Sequence, residues 1–411
     1  MTSIFAVLTA LLLAPCEAAP AKDQCVICHA TMGDAHQAIL KSFSRDIHRE
    51  VGLSCSSCHG GDSSSDDPGK AMSAEEGFIG APTKAETPKF CGKCHSDPAT
   101  MKKYNPSLPV DQEVKYFTSI HGKRLQAGDA KVAVCTNCHT AHSIRPAKDP
   151  SSTVYSKNIP QTCGKCHSDA KLMASYKLPA DQVAKYTGSV HGRALLEKGD
   201  TAAPVCNTCH GNHGAVPPGV ENIGHVCGMC HAHNEEFFEA GPMAKAWKKR
   251  KFHICATCHD HHDIKHPTSE LLSTGDGICR KCHPSDSRQV KAAGIMKAKL
   301  DEISDSYLAA EKSIQAAEEK GLDMAEARDL WDGARMSLFQ SKTSVHTFRP
   351  EKVAEAASPG IEATLKARRS ADEAVREFGQ RRVGLGIASL FLTLLALGLY
   401  LKVRDLESGQ S

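Results

Sequence analysis

The chain has 411 residues, enough for two or three domains, but only 5% are aromatic, too few to build conventional packed cores at that length. Something other than phenylalanine and leucine must fill the interior. A formal charge of +3 gives no electrostatic support for a nucleic-acid partner.

Residues 2–14 (TSIFAVLTALLLA) form an apolar run followed by small residues and Ala19-Pro20-Ala21. This predicts a secretory signal peptide over residues 1–21, although no lysine or arginine precedes the run. Cys16, the odd one of 19 cysteines, is expected to be lost with it.

The other 18 cysteines form nine C-x-x-C-H motifs: Cys25, Cys28 and His29; Cys55, Cys58 and His59; Cys91, Cys94 and His95; Cys135, Cys138 and His139; Cys163, Cys166 and His167; Cys206, Cys209 and His210; Cys227, Cys230 and His231; Cys255, Cys258 and His259; Cys279, Cys282 and His283. Two thiols a helical turn apart can both add to the vinyl groups of one haem, and the adjoining histidine then lies beneath the iron. A zinc ribbon needs no histidine after each pair, a thioredoxin-like site needs one pair, and a disulfide framework would not hold every pair to one spacing. The motifs predict nine covalent haem c groups, with each motif histidine as proximal ligand.

Cys25 to His283 is 259 residues for nine haems, about 29 each. The cofactors themselves must form the interior, so the region from 22 to 286 is predicted as a mainly α, haem-packed domain of short helices and loops. It contains a repeat. CGKCHSD at Cys91 is followed by Met101, Tyr104, Tyr116, S-I-H-G from Ser119 and C-T-N-C-H-x-x-H from Cys135. CGKCHSD at Cys163 is followed by Met173, Tyr176, Tyr186, S-V-H-G from Ser189 and C-N-T-C-H-x-x-H from Cys206.

These doubled C-x-x-C-H motifs, with S-x-H-G and C-x-x-C-H-x-x-H, resemble the periplasmic multihaem c-type cytochromes of respiratory electron transfer. The resemblance covers Cys25 to His283 and implies distal haem ligation by His121, His191, His142 and His213. Thirteen of the 22 histidines lie outside the motifs. The nine best placed to be distal ligands are His36, His48, His121, His142, His191, His213, His225, His253 and His262; His261, His233 and His266 compete for the last places. Met32, Met101, Met173 and Met229 are nearby, but histidine is abundant enough to make all nine haems bis-histidine and of low potential.

Residues 287–380 are rich in alanine, glutamate and lysine, with apolar residues at helical spacing. Breaks at Gly321 and at Arg349-Pro350 predict a bundle of two or three antiparallel helices. The stretch from Ala325 to Pro350 resembles the helical hairpin of the pentahaem nitrite reductases. A spacer or oligomer contact is the reading adopted for it, with His346 as a haem ligand the alternative.

Val383 to Leu401 is 19 residues without a charge, enough to span a bilayer core. A transmembrane helix is predicted over 381–402, with a cytoplasmic tail at 403–411. Arginines and lysines flank it on both sides, so haem attachment, which belongs to the exported side, sets the orientation. The expected function is electron transfer from quinol, or a quinol-oxidising membrane subunit, to periplasmic redox proteins, with no catalytic residue. The alternative is an oxidoreductase acting on nitrite, hydroxylamine or a sulfur oxyanion; a C-x-x-C-K motif, used by nitrite reductases for an open iron, is absent.

Overall fold

The computed structural model describes residues 23–218 and 223–408. The signal-peptide expectation for 1–21, and Cys16 with it, lies outside the described residues. The chain divides into two compact units, Met1–Pro217 and Pro218–Ser411. Among the described residues there are helices and turns and no strand, so the predicted mainly α class holds.

From the second motif onward, the motifs of the first unit occur in two alternating local forms; the first lies in the Gln24–Ala30 helix. The second, fourth and sixth are five-residue helices, Cys55–His59, Cys135–His139 and Cys206–His210. Each starts with a local cap, because Ser57, Asn137 or Thr208 turns its side chain back to accept the amide of Ser54, Val134 or Val205. Each stops at a residue of positive φ: Gly60 at 71°, Thr140 at 68° and Gly211 at 77°. The third and fifth motifs instead end nine-residue helices, Thr87–His95 and Ile159–His167, whose second residue is proline. Proline suits the first turn, where its missing N–H would have no partner anyway.

Buried apolar clusters here are small. Tyr116, Leu125, Val132 and Val134 form one; Ile159, Leu195 and Val205 form another at the equivalent place in the repeat. Met101 and Met173, 5% and 4% exposed, also occupy equivalent positions, and their role is packing.

The second unit ends in three long helices, Arg288–Glu318, Ala325–Ser344 and Pro350–Ser408. Gly321, at φ 76°, lies in the turn between the first two. The predicted break at Arg349-Pro350 is also present, since the second helix ends in a 3-10 turn over Val345–Thr347. The interface is lined by small buried residues: Ala310, Ala334, Ala357, Ala367 and Ala371. Gly360 marks the closest approach, because a Cβ there would lie 2.6 Å from the Ser337 Cβ and 2.9 Å from the Ile303 Cδ1. Farther along, Ile314, Ala317, Met324 and Ala327 pack against Ala367 and Ala371, while the Trp331 indole stacks on Tyr307 at 4.6 Å and donates to its carbonyl at 3.1 Å.

The predicted separate membrane helix is not a separate element. The apolar run is the distal part of the third helix, continuous from Pro350 to Ser408. It is the one helix among the described residues long and apolar enough to cross a membrane, and that stretch is unburied. Pro359 lies inside the helix, but from Gly360 to Ser408 there is no proline to remove a backbone donor, so nothing separates the apolar run from the part packed in the bundle.

Candidate functional site

The S-x-H-G segments show how the fold aims a histidine. Ser119 begins the Ile120–Gln126 helix, accepting the amide of Gly122 at 2.9 Å while its hydroxyl donates to the Tyr116 carbonyl at 2.5 Å. Ser189 repeats this, accepting from Gly192 at 3.1 Å and donating to the Tyr186 carbonyl at 2.6 Å. The glycine is required because the preceding helix ends against it: a Cβ would lie 2.1 Å from the Tyr116 carbonyl oxygen, or 2.0 Å from that of Tyr186. The two tyrosines then tie this corner to the next motif, each hydroxyl donating at 2.9 Å to the carbonyl of Ala133 or Pro204. The histidine between serine and glycine is thereby set in a rigid corner.

Among the described residues, histidine pairs face one another, each of the following joining a motif histidine to one outside the motifs. Ring centroids are 5.0 Å apart for His29 and His36, 5.9 Å for His95 and His48, and 6.2 Å for His59 and His142. They are 6.2 Å apart for His167 and His121, and 6.1 Å for both His139 with His213 and His259 with His346. Two imidazoles ligating one metal from opposite sides through bonds of about 2.0 Å have centroids about 6 Å apart. Five of the pairs, at 5.9–6.2 Å, have the spacing that would hold an iron between them, while His29 and His36, at 5.0 Å, stand about 1 Å closer.

Burial pushes His95, His121, His139, His142, His167, His213, His259 and His346 towards the neutral form that a metal binds, His139 to about 4. Several rings also have Nδ1 engaged, which directs Nε2 to the metal. His59 Nδ1 meets the Gly80 carbonyl at 2.8 Å, His210 the Val216 carbonyl at 3.2 Å, and His48 the Asp46 carboxylate at 2.8 Å.

The pairing crosses between motifs. His142 and His213, each three residues beyond a motif, face the motif histidines His59 and His139 rather than their own. Of the remaining distal candidates, His191 is partly buried and occupies the S-x-H-G position, and His262 is partly buried with its ring 4.6 Å from His261. His225 and His253 are exposed, and no motif histidine faces either among the described residues. His233 is 81% exposed beside Glu236.

The thiols follow the order of the sequence. Cys25 lies near Cys55, Cys91 near Cys135, Cys163 near Cys206 and Cys227 near Cys255, first cysteine to first cysteine. Between these contacts a second cysteine approaches the next motif: Cys58 lies near Cys94, Cys138 near Cys163 and Cys166, and Cys258 near Cys279 and Cys282. Within each unit, successive motifs thus adjoin through alternating first-cysteine and second-cysteine contacts.

Residues 47–168, which include four of the motifs together with His48, His121 and His142, match the family model of cytochrome c3. The match supports a multihaem c-type cytochrome. Covalently bound haem c is therefore the cofactor, and electron transfer its role. No curated protein and no solved structure matches the cytochrome.

Sequence favours a spacer or oligomer contact for the segment of His346 and holds a ligand role for it as the alternative; the structure sets it facing His259. The signal that could have found it is the repeat itself. The histidines facing His59 and His139 come from the following unit of the repeat, and after Cys279 no further unit exists to supply one.

Proposed function

We propose that the chain is a nonahaem respiratory electron carrier, linking membrane quinol, reached directly or through a quinol-oxidising subunit, to periplasmic redox proteins. Haem c, attached at all nine motifs, supplies a one-electron couple at each. The observation that carries the reading is the alternating contact of thiols in sequence order, which lines up the attachment points within each unit without a gap.

The motif histidines are the proximal ligands. His36, His48, His121, His142 and His213 serve as distal ligands by facing them, and His191, His253 and His262 by their place in the repeat; the ninth place, for which sequence chose His225, is taken up in the next section. Two imidazoles on an iron exclude water and small oxyanions from it, which suits a carrier and not a reductase. Histidine on both sides, without methionine, keeps the potentials low. The signal peptide exports residues 22–286, and the apolar end of the third helix anchors the chain in the cytoplasmic membrane with the haem domain in the periplasm.

The test is intact mass, EPR and ligand addition on the purified holoprotein. Nine covalent haems, all low-spin and unresponsive to nitrite, hydroxylamine and carbon monoxide, are expected. A high-spin haem that binds these ligands and turns over would replace this reading with a reductase.

A further inference from the structure

We infer that His346, supplied by the helical bundle at the C-terminal side, is the distal ligand of the iron whose proximal ligand is His259. The inference rests on the reading that Cys255 and Cys258 attach haem. Its centroid distance of 6.1 Å from His259 equals that of His139 and His213, a pair inside the repeat. The Nδ1 of His346 is taken by the Thr343 carbonyl at 3.0 Å, which leaves Nε2 as the free donor.

The turn carrying His346 is fixed from both sides. Val345 packs against the cluster of Leu272, Met296 and Val353. Phe348, held at φ 55°, packs edge-on against Phe238 at 5.9 Å, in the cluster that includes Trp247 and touches Cys258. Gly241 borders the turn, with a Cβ there placed 3.4 Å from the His346 carbonyl oxygen. The Trp247 indole N–H in this cluster is buried without a partner, a donor that a haem propionate would satisfy.

The repeat explains why such a ligand is needed. His59 and His139 take their facing histidine from the next C-x-x-C-H-x-x-H. The eighth motif, at Cys255, has only the Cys279 motif after it, which is followed by Pro284 to Asp286 and no histidine. The bundle fills that place.

The experiment compares His346→Ala, His346→Met and wild type as holoproteins. In His346→Ala, the number of covalent haems should be unchanged while one low-spin haem becomes high-spin and binds carbon monoxide; added imidazole should restore it. In His346→Met, the same haem should stay low-spin with a thioether signature and a raised potential. If His346→Ala does not accumulate, the methionine variant alone decides. An unchanged bis-histidine spectrum in either variant overturns the assignment. Peptide mapping of wild type that finds no haem on Cys255 and Cys258 overturns the attachment reading instead.

Discussion

The carboxylate of Asp46, 1% exposed, accepts the amide of Ile144 at 2.7 Å across 98 residues of chain. Its other oxygen accepts both the amide of His48 at 2.9 Å and the His48 ring at 2.8 Å. Arg145 reinforces the joint, donating to the Arg45 carbonyl at 2.6 Å and pairing with Glu50. One buried carboxylate thus positions His48, which faces His95, and the segment bearing His142, which faces His59.

Asp46→Asn should loosen this joint and cost about 2 kcal/mol at neutral pH. Burial alone would raise the carboxyl's pKa, but the hydrogen bonds from His48 and Ile144 outweigh it and hold the value below the usual range. A depressed folded pKa means the contribution is present above the unfolded value, about 3.9, and is lost as pH falls through the folded one. Denaturant titrations of wild type and variant should therefore differ at pH 7 and converge in acid below that value. Equal stability at pH 7 would show that the carboxylate's charge is dispensable.

Thr140 has φ 68° and ψ −173°, a region that glycine occupies freely and threonine does not. Gly60 and Gly211 stand at the same place after their motifs. Thr140→Gly should stabilise the holoprotein by about 1 kcal/mol in thermal unfolding. Gly60→Ala should do the reverse and more severely, because its Cβ would lie 1.9 Å from the Gly77 carbonyl oxygen.

The S-x-H-G corner predicts a paired effect. Gly122→Ala should force the Tyr116–Phe117 backbone away, cost about 2 kcal/mol and perturb the EPR signal of the haem facing His121. Gly188→Ala, where nothing lies within 4 Å of the added Cβ, should leave the spectrum as it was.

In the bundle, two glycines should respond oppositely. Gly360→Ala meets Ser337 and Ile303 and should destabilise the second unit by about 2 kcal/mol. Gly333→Ala, on an open face of the second long helix, should stabilise it by about 0.5–1 kcal/mol. Calorimetry of the two variants side by side would reveal the difference in sign.

Removing residues 381–411 should release a haem-loaded protein into the periplasmic fraction. The retained part of the third helix keeps its packing partners, since its buried residues end at Ala371. Continued sedimentation with membranes after salt washing would place the anchor elsewhere.

The attachment motifs, the helical class and the breaks at Gly321 and Arg349 were legible because each rests on local chemistry within a few residues. The role of Ser119 and Gly122 was half legible: the repeat marked them, but only the backbone shows the tyrosine carbonyl lodged against the glycine. Cross-motif facing was not legible, because nothing in the spacing says that His142 turns to His59 and not to its own neighbour. His346 was discounted for the same reason. Its partner lies 87 residues away, brought near by helices whose register no local pattern specifies. The continuous third helix was read as two elements because composition changes at Arg381 while backbone hydrogen bonding does not.

That uninterrupted helix acts as a mast. At a rise of about 1.5 Å per residue, the stretch from Pro350 to Val383 measures about 50 Å. The turn bearing His346 is at one end, and the apolar run begins at the other. With that run in the bilayer and the helix upright, the iron proposed beside His346 would stand well clear of the lipid surface. Electron tunnelling weakens steeply with distance, so in that arrangement a quinol within the membrane would not reduce this site directly. Reduction there requires either relay along other haems or a donor protein that itself rises from the membrane to meet it.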